Sequence, residues 1–288
     1  MLPVTKFFGH DITRVMVGDN PAHSNTYIPD LISWDEMTEY YTHENRVKML
    51  TRAIETGYNT ILALASPEIL AVLCQLKNEG KKMHIIFQSY PPDIERFKDA
   101  IDNLIEFDPI GIYHQGTTGE ALIENEDIDT YLSNVEHIRS KGLPAGMAFH
   151  DPANLERAER ENWGADFYVL CPYNSRRNRK GEQSSFITGK SKSSLVFHPD
   201  DRHTMYPLIR SVKQPVIVIK ALAGGQILIG KSKEEYPAVI KEYLTEAFNS
   251  IKPIDTICIG VFQRDIDQLK QNADIVSEIL RKATLNNI

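Results

Sequence analysis

Short, nearly continuous apolar runs alternate with longer amphipathic segments along the whole chain. The runs begin at Arg14 (RVMVG), Thr60 (TILALA), His84 (HIIFQSY), Gly111 (GIYHQG), Ala145 (AGMAFH), Asp166 (DFYVLCPY), Pro215 (PVIVIKA) and Thr256 (TICIGV), eight in all. Runs of roughly four to eight such residues are what parallel strands covered on both faces require. The segments between them carry a helical period. ENRVKMLTRAIETG sets Val47, Leu50 and Ile54 on one face and stops at Gly57, and DIERFKDAIDNLIEF repeats this with Phe97, Ile101 and Leu104. DIDTYLSNVEHIRSKG, DPANLERAERENWG, HPDDRHTMYPLIRSVK and PAVIKEYLTEAFNSI follow suit, with Asp151-Pro152 and Asp200 as expected helix starts. Eight alternations without a Pro-, Gly- or Ser-rich linker predict a single α/β domain over 1–288, a (β/α)8 TIM barrel. The competing fold, a doubly wound open sheet, lacks its GxGxxG after the first run.

Residues 19–43 and 175–199 break the alternation as long loops, and both follow strand C-terminal ends, the face that carries barrel active sites. Charge and composition then narrow the partners. With 32 basic and 39 acidic residues among 288, the net charge of -7 argues against nucleic acid. The longest apolar stretch, ILALASPEILAVLC, is cut by Pro67 and Glu68, too short for a membrane span. Cys74, Cys171 and Cys258 form no CxxC pair, so no disulfide is expected. No signal-peptide pattern opens the sequence, and a cytoplasmic protein acting on a small molecule is the expectation. The segment 175–192 has six basic residues and one acidic residue, and is expected to be a mobile mouth loop that draws anions inward.

Polar residues at the strand ends should converge on one mouth. They include Asp19 and Asn20, Gln88, His114, His150, Cys171 with Tyr173 and Asn174, and Lys220. His114 and His150 are candidate acid–base groups, since imidazole titrates near neutral pH, although either ring could instead be a core histidine bonded to backbone. Lys220 ends an apolar strand, where a charge must reach the mouth or find a partner. It is a candidate electrostatic or covalent group. Asp19, Asn20, Gln88, Tyr173 and Asn174 are candidate substrate-binding residues. His114, His150 and Cys171, on neighbouring strands, form an alternative divalent-metal set.

Several segments resemble the aldo-keto reductase family. GMAFHDPANLERAERENWGADFYVLCPYN is similar to that family's strand 5–helix–strand 6 block with its Tyr-Asn pair, here Tyr173 and Asn174. VIVIKALAGGQILIGK resembles its strand 7 and following loop, and IKPIDTICIGVFQRDIDQLKQNADIV its strand 8 and next helix. KFFGHDITRVMVG, AIETGYNTI and DPIGIYHQG match the first half more loosely. The resemblance implies the barrel fold and assigns Gln263, Arg264, Gln268 and Asn272 to the phosphate end of a retained NADP(H). It also implies a catalytic Asp, Tyr, Lys and His, of which His114 alone has a counterpart. Leu62 stands for the aspartate, Gln88 for the lysine, and no tyrosine follows in ASPEIL. His150-Asp151, Leu170, Ile219 and Lys220 replace the family's nicotinamide contacts.

The combination points to an aldo-keto-reductase-like barrel of altered chemistry. Proton transfer (isomerase, epimerase or lyase) on a small polar, sugar-like or anionic substrate is the expectation, with His114, His150 and Lys220 facing one cavity. An NADP(H)-dependent carbonyl oxidoreductase, a metal-dependent enzyme on His114 and His150, and a non-catalytic ligand-binding barrel remain the alternatives.

Overall fold

The computed structural model describes residues 2–89, 94–183 and 195–285. An antiparallel hairpin comes first, β1 (Val4–Phe7) and β2 (His10–Thr13). Its two-residue turn holds Phe8 and Gly9 at φ 44° and 88°, the left-handed geometry that matches strand twist. Eight parallel strands follow, β3 (Val15–Gly18), β4 (Thr60–Leu64), β5 (His84–Ser89), β6 (Gly111–His114), β7 (Ala145–Phe149), β8 (Phe167–Leu170), β9 (Val216–Ile219) and β10 (Thr256–Gly260). They pair in chain order and close where β10 meets β3, with Cys258 beside Met16. The eight apolar runs of the sequence are these eight strands, and the closed sheet excludes the open doubly wound fold.

Alternation along each strand divides the core in two. Met16, Leu62, Ile86, Tyr113, Ala148, Val169 and Ile217 fill the barrel interior. Val15, Val17, Ile61, Phe87, Ile112, Met147 and Val218 pack outward beneath the helices. The hairpin, unforeseen from its half-exposed polar sequence, stoppers the floor. Its Phe7 and Ile12 join the interior cluster, and the Phe7 ring meets Phe167 edge-on at 5.1 Å. Gly146 is glycine because a Cβ there would lie 2.4 Å from the Phe167 ring.

The helices are α1 (Trp34–Tyr40), α2 (His43–Glu55), α3 (Pro67–Asn78), α4 (Ile94–Leu104), α5 (Gly116–Glu124), α6 (Ile128–Ser140), α7 (Pro152–Arg160), α8 (Arg202–Ser211), α9 (Tyr236–Ser250) and α10 (Gln268–Leu285). Three differ from the sequence reading. The 19–43 loop contains α1, fixed by a capping box between Ser33 and Glu36. Two helices, α5 and α6, follow β6 where one was expected, because GTTGEALIE is too glycine- and threonine-rich to announce itself. Asp200 caps nothing: it lies within a 3-10 turn, Pro199–Asp201, that leads into α8. Asp151, by contrast, is the N-cap of α7, accepting from Ala153 N at 3.0 Å. Cys74, Cys171 and Cys258 are all free. Among the described residues no helix is long and apolar enough to cross a membrane.

Candidate active site at the barrel mouth

Strand parity decides which strand-end residues reach the mouth. On β6, Tyr113 pairs in register with Gln88 of β5 and His114 with Ser89. Tyr113 faces inward, its hydroxyl donating to Gln88 Oε1 at 2.6 Å. His114 must therefore face outward, and it does. Its ring stacks on Phe97 of α4 at 4.7 Å and leans on Tyr131 of α6, fully buried. Nδ1–H donates to Gln115 O at 3.2 Å, and Nε2 accepts from Asn134 Nδ2 at 3.2 Å. Burial pushes this imidazole down to about 4, so it is neutral and sealed in the helix layer. The expectation that His114, His150 and Lys220 share one cavity is corrected here: the structure leaves His114 out.

His150 and Lys220 do meet. Gly146 and Ala148 face inward on β7, and two residues later so does His150. Lys220 reaches the mouth by a different route. Val216 and Val218 face outward on β9, so strict alternation would turn Lys220 into the helix layer. Instead its backbone takes the left-handed conformation, φ 58°. Nζ then lies 2.8 Å from His150 Nε2 and 5.9 Å from the centre of the Tyr27 ring.

Behind His150 stands a residue the sequence reading missed, Glu120 of α5. Its fully buried carboxylate accepts from His150 N at 2.7 Å, Asp151 N at 2.8 Å and His150 Nδ1 at 2.9 Å. Burial opposes its ionisation, but the charge of the His150 ring when protonated, together with the ring and backbone N–H donors, outweighs burial and holds it below the usual carboxylate range. The His150 imidazole is itself depressed, first by burial and then by the Lys220 charge, with Glu120 opposing. The consistent state is an ionised Glu120, a neutral His150 with its proton on Nδ1, and an ammonium at Lys220 donating to Nε2. The available signal was a carboxylate set directly among Gly119, Ala121, Leu122 and Ile123. Gly116 leaves room for the ring, since a Cβ there would lie 2.7 Å from His150 Cε1.

Two adjoining spaces open from this group. The larger, about 380 Å³, runs from Lys220, Gln88 and Tyr113 past Asp19 and Asn20. It continues to an outer arm formed by Arg264, Gln268 and Asn272. The smaller, about 70 Å³, lies between Lys220, His150, the start of α5 and Arg176. Asp19 is partly committed to structure, Oδ2 accepting from Leu64 N at 2.7 Å and lying 3.0 Å from His23 Nε2. Burial pushes the Tyr113 phenol far up, so it stays protonated.

Of the other expected site residues, Arg264, Gln268 and Asn272 line the outer arm, while Tyr173, Asn174, Gln263 and Cys171 lie outside both spaces. Tyr173 packs with Leu195, Phe197 and Ala223, and Asn174 caps the loop by accepting from Arg176 N at 3.2 Å. Neither lines the two spaces. Gln263 is turned to Asp267 and the backbone of Leu269. Arg264 lines the outer arm but is paired with Glu36 and Asp265. Gln268 accepts from Phe262 N at 2.9 Å. Asn272, 3% exposed, keeps an unpartnered Oδ1. Cys171 is buried with its thiol pushed up to about 11. With His114 facing away, the His114–His150–Cys171 set does not assemble. Among the described residues no group of three metal-binding side chains does.

The basic loop reaches the mouth at Ser175, Arg176 and Arg179. The mobility expected of 175–192 falls in part, from 184 onward, outside the described residues. Arg176 pairs with Glu124 at 2.6 Å, Arg179 with Glu182, and Arg177 with Asp201, so these arginines stiffen the rim rather than presenting free charge.

No family model matches the sequence, and no curated protein matches it. Solved structures match the fold. An aldo-keto reductase from Bacillus halodurans in its holo form aligns with TM-score 0.59 at 11% identity, covering 96% of this chain and 91% of that one. A truncated 3-deoxy-D-arabino-heptulosonate 7-phosphate synthase from Thermotoga maritima gives 0.53 at 14%, covering 100% and 94%. A dihydropteroate synthase from Xanthomonas albilineans gives 0.52 at 13%, covering 99% and 98%. Such identities establish a TIM barrel shared by enzymes of diverse chemistry.

Proposed function

We propose that the chain is a barrel enzyme, divergent from the aldo-keto reductases, that moves a proton beside the carbonyl group of a small polar substrate. The observation that carries this reading is the Glu120–His150–Lys220 line at the mouth of a cavity that also exposes Gln88, Tyr113 and Asn20. An ammonium and a neutral imidazole 2.8 Å apart suit a carbonyl oxygen and its neighbouring C–H. The oxygen takes the Lys220 hydrogen bond, and this frees His150 Nε2 to accept the proton from carbon. Glu120 stabilises the imidazolium that results, and Lys220 the enolate. Return of the proton to either carbon gives isomerisation, and loss of a β-hydroxyl gives elimination. Gln88, Tyr113 and Asn20 supply hydrogen bonds for substrate hydroxyls.

Hydride transfer finds less support in these residues. A nicotinamide route needs a proton donor at the carbonyl, and His114, the residue in line with the family's catalytic set, is sealed beneath Phe97 and Tyr131. The outer arm with Asn272 could still hold a polar group of a ligand, but no step is assigned to a cofactor.

The test is proton NMR in D2O with glycolaldehyde, dihydroxyacetone, glyceraldehyde and hydroxypyruvate. The native protein should exchange the α-hydrogens of at least one of them. His150→Gln should slow this by about 10²–10⁴-fold while remaining folded. Exchange that is equally fast in His150→Gln removes the proposal, as does no exchange across the set.

A further inference from the structure

Lys220 is held at some cost. A left-handed backbone at a residue with a side chain is unfavourable by about 1–2 kcal/mol, and such strain concentrates where geometry serves function. What it achieves is contact with an imidazole rather than with a carboxylate. Among the described residues Nζ makes no ion pair with Asp or Glu; it reaches Glu120 only through His150. A lysine bound directly to a carboxylate has no neighbour that could carry its proton away as a cation. Here the acceptor is a ring nitrogen that can take the proton, with a buried carboxylate behind it to hold the resulting charge. Both spaces at the mouth open onto Lys220, so a ligand can approach it from the side away from His150.

We propose that Lys220 acts as a nucleophile, condensing with the carbonyl of a small aldehyde or ketone to form an imine. This rests on the reading of the site as a carbonyl-processing centre and replaces its hydrogen-bonded carbonyl with a covalent one. Lys220 gives one proton to His150 Nε2 as its lone pair attacks the carbonyl carbon; the C–N bond forms and the C=O π pair moves to oxygen. The imidazolium, held by Glu120, returns that proton to the oxygen to give a carbinolamine still protonated on nitrogen. A second proton passes from that nitrogen to the same ring and on to the hydroxyl, which leaves as water while the nitrogen lone pair forms the C=N bond. This gives the iminium with His150 neutral again. The balance is an ammonium and a carbonyl converted to an iminium and water. The iminium nitrogen then draws electrons from the adjacent C–H more strongly than a hydrogen-bonded carbonyl does. Glu120 is a positioning residue in this scheme, acting through His150.

A diketone tests this without knowledge of the substrate. Pentane-2,4-dione reacts with a nucleophilic amine to give water and a conjugated enaminone, seen by its near-ultraviolet absorbance and located by peptide mass mapping. The full chain should form the enaminone at Lys220 ahead of its surface lysines. Lys220→Met and Lys220→Arg should lose that band, and His150→Gln should slow its formation by roughly 10²-fold, with circular dichroism confirming the fold of each. Labelling spread over surface lysines with no preference for Lys220 overturns the inference, and so does a rate unchanged by His150→Gln. Dihydroxyacetone exchange in D2O separates this outcome from the preceding one. Exchange without enaminone at Lys220 removes the imine and keeps acid–base catalysis. Enaminone without exchange keeps the nucleophile and removes proton transfer. Absence of both removes both.

Discussion

Replacing Glu120 by alanine probes the foundation of the site. The carboxylate accepts from the backbone N–H groups of His150 and Asp151, from the His150 ring and, at 3.3 Å, from Asn154 Nδ2. Its loss strands two backbone donors and an imidazole N–H in a buried place. Each stranded donor costs about 1–3 kcal/mol, and removing one member of a buried charged partnership costs about 3–5 kcal/mol in total. Taking about 4 kcal/mol, at roughly 2–4 °C per kcal/mol for a domain of nearly this size, Tm should fall by about 8–16 °C. Glu120→Gln discriminates further. Its amide keeps one acceptor oxygen for the backbone but presents a donor where His150 Nδ1–H also donates. The ring must move its proton to Nε2, where it confronts the Lys220 ammonium. Stability should then drop by only about 1–3 kcal/mol, while α-proton exchange is lost. Because the native pKa of Glu120 lies below its unfolded value, its contribution is present above about pH 4.3 and lost as pH falls through the native value. The glutamine variant should lack that part of the acid transition. Urea melts across pH, with nitrogen-resolved NMR of the imidazole tautomer, supply both readouts. If Glu120→Ala unfolds within about 1 kcal/mol of the parent, the carboxylate is not supporting the turn and the relay argument fails.

Further outcomes follow from neighbouring features. His114 is neutral in the fold, down to about 4 from 6.5, so its contribution is complete above the higher value and disappears as pH falls toward the lower. That amounts to about 3 kcal/mol, and His114→Gln should flatten urea-melt stability over this interval without abolishing α-proton exchange. A full loss of exchange in a folded His114→Gln would restore the residue to catalysis. Lys220→Gly relieves the left-handed backbone but loses the bond to His150, so it should be inactive yet between unchanged and about 1 kcal/mol more stable. A loss of stability well beyond that range contradicts the claim of strain. Gly116→Ala adds a Cβ 2.7 Å from His150 Cε1 and should displace the ring. It is expected to reduce exchange about as severely as His150→Gln, an outcome that normal activity in this variant would disprove.

The barrel was legible because its strands are buried on both faces and write themselves as unbroken apolar runs. The hairpin was not, since Val4 and Asp11 face water while only Phe7 and Ile12 enter the interior. The site was half legible. Position at a strand end singles out both His114 and His150, but adjacent residues of one strand face opposite sides, and only register with Gln88 shows that Tyr113 is the inward one. Lys220 breaks the alternation, and a φ of 58° at a lysine leaves no trace in composition. Glu120 was hidden because the helix carrying it reads as a loop, and because its partner His150 is 30 positions away.

The seam of the barrel bears on how the chain reaches its native state. β3 is made first and β10 last, and Arg14 fastens them by donating from Nε to Asp255 O, 241 positions away, at 2.7 Å. Until that contact forms, the growing sheet has two unpaired apolar edges, the kind of surface that recruits other chains. Loop-closure entropy for so distant a pairing must be overcome before any of its bonds are gained. Folding of this molecule is therefore expected to be limited by ring closure rather than by local helix formation. Chains halted before Thr256 should accumulate as open, self-associating sheets. A weakened seam would appear first as poor yield at high concentration, well before any change in the melting of protein that has already closed.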